Sequence, residues 1–163
     1  MAILNAQDID KQKLLEMKVR RKNNDHTEKH TPLHMAIEIN QSEIVKEILK
    51  TQGVNMQKLL EMKDKYSNMP LHMAILTNQP KVVKAILKTP GIDKQKLLES
   101  KNIHGSTPLH MAMRSNQPEL IKAILETNGI DRQKLFGIED NNNSTPLYFI
   151  LKHNKLELLK EIT

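Results

Sequence analysis

The sequence predicts an all-α solenoid: short helix pairs stacked in a row, with an extra short helix in each repeat. Three observations carry this. The tetrapeptide Pro-Leu-His-Met begins at Pro32, Pro70 and Pro108, and Pro-Leu-Tyr-Phe begins at Pro146, a constant step of 38 residues. Agreement extends beyond the motif, because residues 70–87 and 108–125 are identical at 12 of 18 positions. Apolar residues fall at helical spacing within each period, in segments too short to persist alone. The chain has 163 residues, 38% hydrophobic and 27% charged, which suits one folded domain and not a disordered chain.

The elements follow in chain order. Residues 2–16 read AILNAQDIDKQKLLE and residues 85–99 read AILKTPGIDKQKLLE, so the chain opens near the close of a repeat. Ile9 to Leu15, Val54 to Leu60, Ile92 to Leu98 and Ile130 to Phe136 each predict a short helix of about two turns. In the third of these Asp93 is the N-cap, and Ile92 and Leu97 are placed for a hydrophobic staple. Leu14 to Leu59 is 45 residues, whereas Leu59 to Leu97 is 38, and the surplus falls in polar, basic Val19–His30, expected to be a loop. Residues 1–30 are thus a partial leading repeat plus this basic loop. Full repeats start near 31, 69, 107 and 145, the last a C-terminal cap, in one domain over 1–163. Within a repeat, Thr107 caps a helix whose first residue is Pro108, where a missing N–H costs nothing. Leu109, Ala112 and Met113 form its buried stripe, and Asn116 ends it by tolerating the left-handed conformation. Pro118 opens a second helix with Leu120, Ile121, Ile124 and Leu125 inward. Asn102-Ile103-His104-Gly105-Ser106 is a turn leading to the next Thr-Pro.

Turn, Thr-Pro-Leu-His-x-Ala helix, short loop, second helix resembles the ankyrin repeat. The residues that carry the resemblance are Thr31-Pro32-Leu33-His34-Met35-Ala36 and Thr107-Pro108-Leu109-His110-Met111-Ala112. The second copy has Met69 in place of the capping threonine, expected to cost that helix about 0.5–2 kcal/mol. The fourth has Tyr148 for the histidine and Ile150 for the small alanine, which implies one-sided packing in a terminal repeat. Asn40, Asn78, Asn116 and Asn154 replace the family's loop glycine. The family period is about 33 residues, and the surplus here is assigned to the third helix. The resemblance implies a slightly curved solenoid, stabilised between neighbours. It also implies protein binding on the concave face made by the turns and first helices.

Composition and motifs exclude much chemistry. With no cysteine there is no disulfide, thiolate zinc site or cysteine nucleophile. No apolar run approaches the length of a membrane-spanning helix, and the N-terminus lacks the basic and apolar regions of a secretory signal. The five glycines are dispersed and form no phosphate-binding loop, and no catalytic constellation stands out, so no enzyme activity and no cofactor are expected. His34, His72 and His110 occur once per repeat, too far apart for one ion, and are expected to tie their own repeats together. His26, His30 and His34 have ligand-like spacing, but Pro32 interrupts any shared helix, so no metal site is expected. Met35, Met73, Met111 and Met113 are expected in the core.

Positions that differ between otherwise matched repeats point to a partner. These are Leu76-Thr77, Arg114-Ser115 and Lys152 after the first helices, and Lys65, Tyr66, Asn68, Ile103, His104, Asn141 and Asn142 in the turns. Tyr66 and Arg114 are the expected anchors. Charge reversal at Arg114 with Tyr66→Ala is expected to abolish partner capture and leave the fold intact. The net charge of +6 favours an acidic partner. A basic nucleic-acid or chromatin-associated module is the alternative, motivated by Lys18-Val19-Arg20-Arg21-Lys22, but 2% aromatic content leaves few stacking platforms. A monomer is expected. Met1–Leu15 is too apolar for a solvent-facing cap, so the chain is expected to be a piece of a longer protein or to use that end as a contact surface. Lysine outnumbers arginine 21 to 4, which resembles ankyrin-like effectors that intracellular bacteria deliver into host cells; a eukaryotic parasite would give the same bias. The expected location is cytoplasmic, or host cytosol or nucleus for a delivered protein.

Overall fold

The computed structural model describes residues 10–21, 28–154 and Glu157. Ile9, Lys22, His26 and the close of the last repeat, on which parts of the sequence reading fall, lie outside the described residues. The order is α1 (Lys11–Glu16), β1 (Val19–Arg21), β2 (Glu28–His30), α2 (Pro32–Glu38), α3 (Ser42–Leu49) and α4 (Met56–Glu61). It continues with α5 (Pro70–Leu76), α6 (Pro80–Leu87), α7 (Lys94–Glu99), α8 (Pro108–Arg114), α9 (Pro118–Leu125), α10 (Arg132–Gly137) and α11 (Pro146–Lys152). First helices α2, α5, α8 and α11 pack side by side, and second helices α3, α6 and α9 form a parallel outer row. Each third helix (α1, α4, α7, α10) packs against the first helix that follows it.

The segment expected to be a loop, Val19–His30, is corrected at its root. Val19 pairs with His30, Arg20 with Lys29 and Arg21 with Glu28, as an antiparallel hairpin. A chain leaving α1 and returning to α2 must satisfy its backbone polar groups, and cross-strand pairing does so.

The helix signals act where the sequence puts them. Thr31, Thr107 and Thr145 accept from the N–H groups of His34, His110 and Tyr148, while Met69 makes no side-chain cap bond. Asn40, Asn78, Asn116 and Asn154 end the first helices at φ between 52° and 58°. Asp10, Asn55, Asp93 and Asp131 cap the third helices. None of these helices exceeds eight residues, so each depends on burial between neighbours. Leu33, Leu71 and Leu109, one per repeat, are 0% exposed; truncating one to alanine would cost about 2–5 kcal/mol. Met73, Met111 and Met113 are buried as expected, and Met35 is half-buried. Packing of α11 is one-sided: Phe149 and Ile150 are buried, but Leu147, Tyr148 and Leu151 face outward.

Candidate functional site

Two polar systems, one within each repeat and one between repeats, fix the face that carries the candidate residues. The first is the histidine row. Nδ1 of His72 and His110 accepts from the N–H of Met69 and Thr107, each at 3.2 Å, so Nε2 carries the proton. That Nε2–H donates to the carbonyl of Ser100 at 3.1 Å from His72 and of Ser144 at 2.9 Å from His110. His34 matches, with Thr31 Oγ1 at 2.7 Å and the Asn68 carbonyl at 3.1 Å. Each histidine thus ties its own repeat together, as expected: the Nδ1 side meets the start of the first helix, and the Nε2 side reaches a carbonyl late in the same repeat. Burial pushes His34 and His72 down to about 4, with the accepted carbonyls pulling the other way. His110 is lowered for the same reason.

The second system joins the third helices. Oε1 of Gln12, Gln57 and Gln95 accepts from the N-cap N–H of the following third helix, at Asn55, Asp93 and Asp131. The same glutamines donate to Glu16, Glu61 and Glu99 one turn on. Those carboxylates pair with Lys58, Lys96 and Lys134 of the following helix at 2.7–2.8 Å. Each lysine holds its carboxylate below the ordinary value, and the glutamine amide adds to the effect. Sequence reasoning missed this ladder, although its signal was visible: Gln-Lys-Leu recurs in all four third helices, with a glutamate four residues after the glutamine in the first three.

The turns between repeats are built alike and form projecting fingers. Asp64 Oδ1 accepts from the N–H groups of Tyr66 and Asn68, Asn102 Oδ1 from His104 and Ser106, and Asp140 Oδ1 from Asn142 and Ser144. A residue with positive φ closes each turn: Ser67 at 59°, Gly105 at 70° and Asn143 at 56°. The fingers also bond to one another. Ile103 N–H donates to the Tyr66 carbonyl at 2.9 Å, and Asn141 N–H to the His104 carbonyl at 3.2 Å. Asp64 and Asp140 were not among the residues singled out from sequence, and Asn102 was read only as part of a turn, yet each shapes its finger; their signal was a short Asx residue recurring with the same period.

On this frame, Lys65, Tyr66, Leu76, Ile103, His104, Arg114, Ser115, Asn141, Asn142 and Lys152 are exposed, and Thr77 is half-buried. Tyr66 is 49% exposed, Leu76 57% and Ile103 54%. Leu76, His104, Arg114 and Ser115 meet around one cleft of about 260 Å³ between α5 and α8, with Ile75 and Met111 among its lining. Asn68 is a correction: it is 4% exposed, with its N–H and side-chain amide committed to Asp64 and its carbonyl to His34. It holds a finger and presents nothing to a partner. Arg114 also differs from a free anchor. Its Nη2 donates to the buried Asp140 at 2.7 Å, and its guanidinium lies over the Phe149 ring at 5.2 Å. Charge reversal there would set two carboxylates together, so the expectation of an intact fold is corrected. Asn141 is exposed but its side-chain amide donates to the Ile103 carbonyl at 3.0 Å. Lys18 to Arg21 lie at the hairpin root, where Lys18 reaches the Lys63 carbonyl at 3.5 Å.

A family model for ankyrin repeats in three copies matches residues 1–97, and one for a single ankyrin repeat matches residues 104–134. The chain belongs to the ankyrin-repeat family. These matches stop before the fourth repeat, where Tyr148 and Ile150 depart from the pattern. No curated protein matches this sequence. Ankyrin repeats are generally protein-interaction modules and typically non-enzymatic. Among the described residues no helix is long and apolar enough to cross a membrane, and no group of three or more His, Cys, Asp or Glu could hold a metal ion.

Proposed function

We propose that this ankyrin-repeat chain is a non-catalytic scaffold that binds a partner protein through the face formed by its fingers and first helices, the concave side by family geometry. The observation that carries the reading is the exposed apolar set Tyr66, Leu76 and Ile103 on that face. Exposed side chains held on a rigid frame lose little freedom on binding, which favours affinity. Buried positions between the same repeats are nearly constant, whereas these exposed ones change from copy to copy, as a partner-specific surface requires. Lysine bias supports the finer reading of an effector that acts in the cytosol or nucleus of a host cell.

The test is capture from a nuclease-treated eukaryotic lysate on the immobilised chain, beside a Tyr66→Ala, Ile103→Asp double variant. A stoichiometric protein retained by the wild type and lost by the variant is the expected result. Retention equal on both, or material that disappears with nuclease, overturns the proposal.

A further inference from the structure

The cleft between α5 and α8 differs from its counterpart one repeat earlier. At the earlier junction, Gln79 Nε2 donates to the Ile37 carbonyl at 2.6 Å and to Thr77 Oγ1 at 2.7 Å, closing the groove with an amide. The corresponding residues at the next junction are Ile75, Ser115 and Gln117, and all three line the cleft. Here Ser115 Oγ turns to the Met111 carbonyl at 2.7 Å. Gln117 makes no side-chain hydrogen bond among the described residues: its Oε1, like that of Gln79, is out of solvent without a partner, and its Nε2 lacks both bonds that Gln79 makes. A buried polar atom with no partner costs free energy and marks a place where a ligand can supply one.

Three further features define what would fit. The opening holds about 260 Å³ with Ile75, Leu76 and Met111 as apolar lining, room for one large side chain. An amide able to donate and accept matches the alternating groups of an extended backbone. The rim is cationic. Arg114 has donors beyond the one given to Asp140, and its side chain is 44% exposed. Asp64 and Asp140, the carboxylates of the fingers, are buried and committed.

We infer that the cleft between α5 and α8 receives an extended segment of the partner protein, in which a large aliphatic or aromatic side chain is flanked by a carboxylate. The side chain fills the space over Ile75, Leu76 and Met111. The Gln117 amide bonds the segment's backbone, and the carboxylate meets Arg114. This rests on the concave-face reading and narrows it to one cleft and one partner chemistry.

The test is to pan phage-displayed random dodecapeptides on the full chain and measure the enriched peptides against single variants. Leu76 is 57% exposed, so Leu76→Asp is compatible with folding, and matching thermal melts check this for each variant. The expected result is a consensus of one large apolar residue beside Asp or Glu. Affinity falls about tenfold on Leu76→Asp and several-fold on Gln117→Ala. Replacing the peptide's carboxylate by its amide weakens binding to the wild type several-fold. Peptides that bind both variants like wild type but lose affinity on Ile103→Asp or Tyr66→Ala overturn the cleft assignment and leave the concave-face reading standing. A consensus rich in lysine or arginine overturns the charge argument. Enrichment of nothing, or of peptides indifferent to all four substitutions, removes both.

Discussion

Acidification to pH 5 should loosen this solenoid through its buried histidines. His34 and His72 are 0% exposed and neutral, with Nδ1 accepting and Nε2–H donating to a carbonyl late in the same repeat. Their folded-state values lie near 4, against 6.5 for the free side chain. The folded value is depressed, so the unfolded chain binds more protons between those limits. The contribution is fully present above 6.5 and is lost as pH falls toward 4. At pH 5 each histidine has given up about 2 kcal/mol relative to neutral pH, or about 4 kcal/mol for the pair. His110 adds to the loss in the same direction. Glu61, Glu99 and Asp140 are held below their ordinary values, so their contributions vanish only at lower pH and do not confound this window. The assay is urea denaturation followed by circular dichroism at pH 7.5, 6 and 5. The wild-type midpoint should fall steadily over that range. In a His72→Gln variant the loss should be smaller by about 2 kcal/mol, whatever its stability at pH 7.5. Equal midpoints at pH 7.5 and 5, or an unchanged slope in the variant, would refute the assignment of neutral, buried histidines.

Other substitutions probe the remaining devices. Thr107→Ala removes both a helix cap and a hydroxyl on His110 and should cost about 1–2 kcal/mol by urea denaturation. Gly105→Ala is strained at φ 70°, and its Cβ would lie 2.7 Å from the Asn141 backbone nitrogen. It should cost about 1–3 kcal/mol and expose the amide of Asn141 to faster hydrogen exchange. Gln95→Ala severs Asp131 N–H and Glu99 together and should cost about 1 kcal/mol in the same denaturation assay. Arg114→Glu, which places a carboxylate against Asp140, should lower the thermal midpoint, whereas Tyr66→Ala should leave it unchanged.

The repeat frame was legible because helix signals are local. Thr-Pro before an apolar stripe, Asn after it and Asp before KQKLLE each act within one turn, and each appears where it was read. Connections between repeats were less legible. Even within one repeat, the reach of His34 to Asn68 depends on how the third helix and turn fold back on the first helix, which the period does not encode. The same holds for Gln95 and Asp131, whose bond spans 36 residues. Asn68 was misread for a related reason: it varies between copies like a contact residue, yet its partner Asp64 draws it inward. In the other two fingers the same position is Ser106 and Ser144, and each gives its N–H to the turn's Asx side chain as Asn68 does, so the position serves the finger in every copy. Arg114 changed meaning through Asp140, a residue 26 positions away that sequence gave no reason to pair with it.

Amide hydrogen exchange tests whether fingers and first helices form the binding face. The captured partner is added to the chain, and exchange is compared with the chain alone. Protection concentrated at Tyr66, Leu76–Thr77, Ile103–His104 and Arg114–Ser115, with the outer helices α3, α6 and α9 unchanged, is the result this account predicts. Protection confined to the outer helices, or to the hairpin root near Lys18, would contradict it.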